Sequence, residues 1–218
     1  MTPSRRRVLL GSAAGLLGLG VLGACSDAAP PAAPAPGPTT TAPPTTTGAR
    51  PVYAGDQRGV ALCAAVSALA ASLYSGAVVA AGEGRLGQVP GVVTAFLAGA
   101  GAQHTEHAAA WNTLLTAAGL PAVTGSPLAV ETDRRAVLGR AAAPTDLLAL
   151  AVDVEAMTGG TVLARAGEFT DAGAATLAAT LAPVAAMHGA TAAFLLGRPT
   201  GATPTAAGAP LGLDALTL

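Results

Sequence analysis

Two histidines in the middle of an alanine-rich stretch have the spacing of a metal-binding pair. His104 and His107 lie three residues apart, in the run Gln103-His104-Thr105-Glu106-His107. In a helix this spacing puts both imidazoles on one face, with their Cβ atoms about 5–6 Å apart. Two imidazoles at that separation can bind one transition metal. Glu106 lies about 100° around the helix from His107 and is not expected to join them.

Two more residues of metal-ligand type occur in stretches that otherwise carry few charges. Glu155 lies among leucines and valines, and His188 is the only ionisable residue between Ala172 and Gly197. Taken singly, Glu155 is typical of a solvated helix face and His188 of a hydrogen-bonded core histidine. Together with the histidine pair, they fall in the middle of three predicted helices, where bundles build metal sites from facing side chains.

The predicted site holds one metal ion. Three imidazoles and one carboxylate suit iron, zinc or copper, and the four candidate ligands are His104, His107, Glu155 and His188. The alternative is a set of polar residues that hydrogen-bond to one another inside the core without a metal.

The composition favours helices and disfavours several classes of protein. Of the 218 residues, 51% are apolar, 11% are charged and 3% are aromatic. Alanine and leucine outnumber β-branched and aromatic residues, which favours helices over strands. A net charge of −1 disfavours nucleic-acid binding. Two cysteines are too few for a disulfide scaffold, and we expect Cys63 to be an inert core residue.

Four long apolar stretches predict an all-α fold. They span about 56–82, 90–118, 144–168 and 171–197, with a shorter helix at about 128–141. The predicted start signals of the four long helices are Asp56, Pro90, Pro144 and Asp171. Four long helices with one long middle connection describe a four-helix bundle with a crossover.

The first fifty residues resemble a targeting signal followed by a tether. Arg5 and Arg6 follow a serine and precede an apolar run, as in a twin-arginine export signal. The run ends in Leu22-Gly23-Ala24-Cys25, which resembles a bacterial lipobox with Cys25 as the lipidated residue. We therefore predict a signal peptide at 1–24, followed by a lipidated cysteine and a proline- and threonine-rich tether at 25–50. The alternative is a plain membrane anchor with an incidental cysteine.

These segments predict where the protein lies. The folded domain would span 51–205, followed by a C-terminal tail at 206–218. A lipid at Cys25 would hold this domain on the outer face of the cytoplasmic membrane. Gly59–Gly82 and Ala172–Gly197 are also long enough to cross a bilayer, so a multi-pass protein is an open alternative. The sequence defines no protein partner and no oligomeric state.

Two segments resemble the bacterial ferritin-like domain family, in the branch found in exported proteins of actinobacteria. They are FLAGAGAQHTEHAAAWNTLLTAAGLPAVTG, from Phe96 to Gly125, and APVAAMHGATAAFLLG, from Ala182 to Gly197. The resemblance covers roughly 56–204 and implies a ferritin-like four-helix bundle. In that superfamily, two metal ions are bound by a glutamate from each of two helices and a Glu-x-x-His from each of the other two.

This chain departs from the ligand pattern that the resemblance implies. His107, Glu155 and His188 match ligand positions. His104 and Ala185 stand where the two Glu-x-x-His motifs have glutamate, and Ser67 is the nearest equivalent of the glutamate expected on the first helix. One carboxylate cannot both bridge and terminate two ions, so the pattern disfavours a di-iron centre.

Three hypotheses for the function follow from this degenerate site. The first is an exported, lipid-anchored ferritin-like protein that binds one transition metal. The second is a metal-free envelope scaffold or partner-binding module with a vestigial site. The third is a metal-dependent oxidase, which the missing carboxylates disfavour.

Overall fold

The computed structural model describes residues 53–198 and 209–218, and this part of the chain is all-helical. The predicted signal peptide, lipidation site and tether lie outside these residues. The α-helices, in chain order, are α1 (Asp56–Gly82), α2 (Gly91–Ala117), α3 (Glu131–Gly139), α4 (Pro144–Ala166) and α5 (Ala172–Leu195). A 3₁₀ turn at Leu213–Ala215 follows near the C-terminus, and no strand occurs among the described residues. The prediction of an all-α fold is confirmed.

Three of the four predicted helix starts have the expected local chemistry. Pro90 is the N-cap of α2, and Pro144 is the first residue of α4. The carboxylate of Asp146 accepts hydrogen bonds from the backbone N–H groups just before α4. Asp171 caps α5 by accepting a hydrogen bond of 2.7 Å from the backbone N–H of Ala174.

The predicted capping role of Asp56 is wrong. The N-cap of α1 is Gly55, which has a φ of 54° that favours glycine, and no side chain caps this helix. The carboxylate of Asp56 instead accepts hydrogen bonds from the backbone N–H groups of Thr170 and Asp171 and from the Thr170 hydroxyl. These bonds lower the pKa of Asp56. Asp56 therefore ties the start of α1 to the loop between α4 and α5.

The four long helices form two closely packed pairs, α1 with α2 and α4 with α5. The start of α1 and the end of α2 line one cavity, through residues such as Val60 and Leu115, so these two helices run in opposite directions. In the second pair, a Cβ on Gly159 would lie only 3.2 Å from the Cβ of Ala185. Small residues therefore permit the close approach of α4 and α5.

Contacts between the pairs fix the direction of α4. Near its middle α1 touches α4 through Tyr74 and Glu155, and its start touches the loop after α4 through Asp56. Helix α4 is thus antiparallel to α1 and parallel to α2, so the segment between α2 and α4 must cross the length of the fold. Helix α3 lies in this crossover, against α1 and α4, where Arg135 donates a hydrogen bond of 3.0 Å to Ser72.

The end of the chain packs back onto the helices. The backbone N–H of Leu211 donates to the Thr161 hydroxyl at 2.9 Å, and the Arg58 guanidinium donates to the carbonyl of Leu213. A single antiparallel bridge joins Leu128 to Leu216. Residues 209–218, predicted only as a tail, therefore contribute to the folded unit.

In the part of the chain that the structure describes, three helices are long and apolar enough to cross a membrane, judged by length and composition: α1, α4 and α5. In the most apolar part of α1 and of α4, 61% of the residues are buried inside the protein, against 39% in α5. From the sequence alone, the stretches of α1 and α5 are long enough to cross a bilayer. Helix α4 also meets the criterion of length and composition, despite its acidic residues.

Gly101 is a further point of close approach, and it allows a matched test of the packing. A Cβ at this position would lie 3.0 Å from the Cβ of Tyr74, whereas a Cβ at Gly99 on the same helix would meet nothing within 4 Å. We expect Gly101→Ala to lower the free energy of unfolding by about 1–3 kcal/mol, because the added methyl overpacks the α1–α2 contact. Gly99→Ala should raise it by about 0.5–1 kcal/mol.

Urea unfolding of the two variants checks this expectation. A Gly101→Ala protein at least as stable as the parent would contradict the packing of α1 against α2.

Candidate metal centre

Glu155 lies at the centre of the fold, where three other helices reach its carboxylate. Its side chain is completely buried, and α4 carries it on the face that also presents Leu148 and Val154 to the core. The Tyr74 hydroxyl of α1 donates a hydrogen bond of 2.6 Å to Oε1. His104 Nε2 of α2 lies 2.8 Å from the same oxygen, and His188 Nδ1 of α5 lies 3.4 Å from it. Three helices thus each place one side chain against the carboxylate that the fourth helix, α4, carries.

The two histidines differ in their surroundings. His104 is fully buried, and its ring stacks on Tyr74 with centroids 5.7 Å apart. The His188 side chain is 12% exposed, and its Nε2 lies 3.1 Å from Oε1 of Gln103. Because an amide oxygen can only accept, His188 Nε2 donates to Gln103, and Nδ1 is the ring nitrogen that faces Glu155. A metal-binding histidine has this arrangement, with its second nitrogen held by an outer hydrogen bond.

The spacing of these groups fits one bound ion. Ligand-type atoms of His104, Glu155 and His188 all lie within 4.8 Å of one another. Two ligands of one ion, with bonds of about 2.0–2.2 Å at tetrahedral or octahedral angles, are about 3–3.5 Å apart. The distances of 2.8 Å and 3.4 Å from Glu155 Oε1 to the two histidines lie close to this range.

Three buried polar atoms of the cluster have no hydrogen-bond partner within residues 53–198 and 209–218. They are His104 Nδ1, His188 Nδ1 and Glu155 Oε2. Most buried polar atoms in proteins are paired, and a group of unpaired ones at one place calls for an explanation such as an ion. The buried cluster of His104, Glu155 and His188 can therefore bind a metal ion, and its geometry does not define which ion.

His107 lies beside this cluster. Its side chain is half-buried, and its ring meets the ring of His104 edge-on, with centroids 5.5 Å apart. It is not among the residues whose ligand atoms come within 4.8 Å of one another. Of the four predicted ligands, the structure thus brings three together and places the fourth next to one of them.

Burial and neighbouring polar groups shift the pKa values of Glu155, Tyr74 and His107. Burial alone would raise the pKa of Glu155, but the neighbouring His104 and His188 rings and the hydrogen bond from the Tyr74 hydroxyl lower it to about 2. Burial and then the neighbouring Glu155 raise the pKa of Tyr74 well above its usual value. Burial, followed by the nearby His104 and His188, lowers the pKa of His107 to about 4. The cluster therefore presents an ionised carboxylate at neutral pH.

Ala185 and Ser67, two of the positions predicted to replace glutamates, lie outside the carboxylate cluster. Ala185 is buried, and a Cβ on Gly159 would lie 3.2 Å from its Cβ. The Ser67 hydroxyl donates to the carbonyl of Cys63 at 2.8 Å, within its own helix. The side chain that α1 sends to the cluster is Tyr74, and the equivalence of Ser67 to the glutamate of the family pattern stays a prediction.

Sequence reasoning missed Tyr74 and Gln103 as members of the site. Tyr74 lies two turns after Ser67 on the same buried face of α1, and its hydroxyl needs a partner there. Gln103 directly precedes His104 but reaches across to His188 on α5. A signal for Tyr74 was present, since a buried tyrosine usually hydrogen-bonds. The contact of Gln103 depends on how α2 and α5 face each other, which the sequence does not define.

The thiol of Cys63 takes no part in the cluster around Glu155. Cys63 is fully buried on α1, and burial raises its pKa to about 12. A thiol in that state is a poor nucleophile and a poor metal ligand. The prediction that Cys63 is an inert core residue agrees with this burial.

The described residues therefore define a class: an all-helical protein with a buried cluster of two histidines and one glutamate that can hold a metal ion. Comparison of the chain with protein families, with curated proteins and with solved structures found no match. The resemblance to ferritin-like domains stays a prediction from the sequence.

Proposed function

We propose that this chain is an exported, lipid-anchored ferritin-like protein that binds a single transition metal through His104, Glu155 and His188. The observation that carries the proposal is the convergence of these three groups, from three helices, within 4.8 Å of one another. They are far apart in the sequence, and the structure buries the side chains of His104 and Glu155 almost completely. Such an arrangement is expensive to bury unless its groups have partners.

The connectivity of the helices supports a ferritin-like four-helix bundle. Neighbouring helices α1 and α2 are antiparallel, α4 is antiparallel to α1, and a long crossover with α3 leads from α2 to α4. One long crossover between two antiparallel pairs is the connection used by ferritin-like bundles. Metal sites in such bundles lie in the core, between facing helices, as the cluster around Glu155 does.

The donor set supports one ion rather than two. Glu155 is the single carboxylate in the cluster, and its Oε1 already faces both histidines. A two-metal centre needs carboxylates that span the ions and offset their charge. Two imidazoles and one carboxylate suit iron or zinc, and imidazole also suits copper.

The location follows from the N-terminal sequence. Arg5 and Arg6 precede an apolar run that ends at Cys25, and a proline-rich segment separates Cys25 from the first helix. A lipid on Cys25 would attach the protein to the outer face of the cytoplasmic membrane, and the tether would hold the helical domain away from the lipid surface. The membrane is the one partner that these residues define.

A metal-free scaffold is the second candidate, and one observation favours it. Oε1 of Glu155 already accepts the Tyr74 hydroxyl at 2.6 Å and lies 2.8 Å from His104 Nε2. A protonated His104 paired with this carboxylate would form a buried ion pair without any metal. An oxidase stays a third hypothesis, for which no described residue supplies additional support.

Metal titration of single-histidine variants tests the proposal. The purified protein should bind about one zinc or ferrous ion per chain, measured by mass spectrometry of the metal after desalting. Because His104 and His188 would share one ion, His104→Ala and His188→Ala should each weaken binding by more than tenfold, using the losses of about 10–100-fold for outer residues as a lower guide. The matched control is His107→Ala, which removes an imidazole of the same helix but outside the three-residue cluster and should retain the metal.

Two results would contradict the proposal. Two ions per chain would contradict the single-carboxylate argument. No bound ion with zinc, copper or iron would favour the metal-free scaffold.

A further inference from the structure

We propose that a metal bound by His104, Glu155 and His188 keeps an open coordination position on the α2–α5 side, where it takes a small anion that His107 contacts. This inference rests on the proposed metal site. It adds a ligand class and a binding residue to that site, neither of which follows from metal binding alone.

The number of protein ligands supports an open position. Only three residues of the cluster can reach one ion, namely His104, Glu155 and His188. Structural zinc sites are closed by four protein ligands, whereas sites that bind exogenous molecules have three and leave a position for water or another ligand. Two histidines and one carboxylate form the ligand set that leaves positions open on mononuclear iron.

The side of the cluster that faces α1 is closed. Tyr74 donates to Glu155 Oε1 at 2.6 Å, and its ring stacks on His104 at an angle of 14°. Phe96 of α2 meets the ring of Tyr74 edge-on and also covers one edge of the His188 ring, with centroids 6.4 Å apart. Aromatic side chains therefore fill the space where a ligand would enter from α1.

The side between α2 and α5 is different. His188 on α5 is 12% exposed, whereas the side chains of His104 and Glu155 are exposed by 1% and 0%. On α2, the exposed Gln103 reaches His188, and the half-buried His107 lies one turn beyond His104. The α2–α5 side is therefore the side of the cluster nearest to solvent.

His107 is placed to contact such a molecule. Its ring lies edge-on to His104, with centroids 5.5 Å apart, yet its nitrogens lie outside the group of atoms that can share an ion. A side chain just beyond a ligand position can hydrogen-bond to whatever occupies that position. Because the cluster is buried and the His188 side chain is only 12% exposed, the occupant must be as small as azide or hydroxide.

Cobalt substitution with azide as the probe tests the inference. Cobalt(II) reports changes of its ligands through its visible absorption, and it occupies sites built for zinc or iron. Azide added to the cobalt-loaded protein should change the spectrum and saturate at one azide per cobalt. His107→Ala should keep one cobalt per chain but weaken azide binding about tenfold or more, as expected for the loss of an outer hydrogen bond. The matched control is Glu106→Ala, the exposed neighbour on α2, which should change neither value.

Each outcome gives a separate answer. Cobalt binding with no response to azide would overturn the open position but leave the proposed metal site intact. An azide response that His107→Ala leaves unchanged would overturn the role of His107. Failure of the parent protein to bind cobalt would overturn both this inference and the proposed function.

Discussion

Replacement of Glu155 by alanine is expected to lower the free energy of unfolding by about 3–5 kcal/mol, because it removes one member of a buried polar pair. The carboxylate is fully buried and interacts with the Tyr74 hydroxyl and His104 Nε2. Its loss leaves both groups in the core without an acceptor. The same variant should lose metal binding, since Glu155 is the only carboxylate of the cluster. Chemical denaturation of the metal-free protein and metal analysis measure the two effects.

Two variants on α4 control for this result. Glu155→Gln keeps the shape of the side chain and an acceptor oxygen for Tyr74. It should therefore be less destabilising than alanine, while still weakening the binding of the metal. Asp153→Ala, two residues earlier, removes a carboxylate whose side chain is 63% exposed, and it should change neither stability nor metal binding appreciably. A Glu155→Ala protein as stable as the Asp153→Ala protein would contradict the burial of this carboxylate.

Replacement of Cys25 by alanine is expected to abolish lipid attachment completely, because the proposed lipid would be transferred to the thiol of that one residue. Radiolabelled fatty acid should enter the parent protein in cells and be absent from the variant. Cys63, the other cysteine, is buried in the core, so Cys63→Ala should leave the label unchanged. Incorporation of label into the Cys25→Ala protein would contradict the lipoprotein interpretation.

Much of the helical organisation could be predicted from the sequence. The stretch 56–82 coincides with α1, and the proline before α2, the proline that begins α4 and the Asp171 cap of α5 lie where expected. These features depend on local chemistry, which a sequence records directly. Asp56 was misinterpreted because its carboxylate bonds to a loop more than a hundred residues away, and a local pattern contains no information about that contact.

The candidate site, too, could be predicted only in part from the sequence. Helical spacing and the scarcity of polar residues were sufficient to single out His104, Glu155 and His188. The rotation of α2 decides which of its histidines faces Glu155, and spacing alone could not separate His104 from His107. The contact of Tyr74 with Glu155 depends on the packing of α1 against α4 and could not be read from either helix.

The most direct test of the central claim is an anomalous diffraction experiment on crystals of the protein grown with zinc. We expect one peak at the zinc absorption edge per chain, within about 2.0–2.2 Å of a nitrogen of His104, a nitrogen of His188 and an oxygen of Glu155. His107 should lie outside the inner ligands. A map without a peak at this place, in which His104 still contacts Glu155 directly, would contradict the account and identify the cluster as a metal-free hydrogen-bonded core.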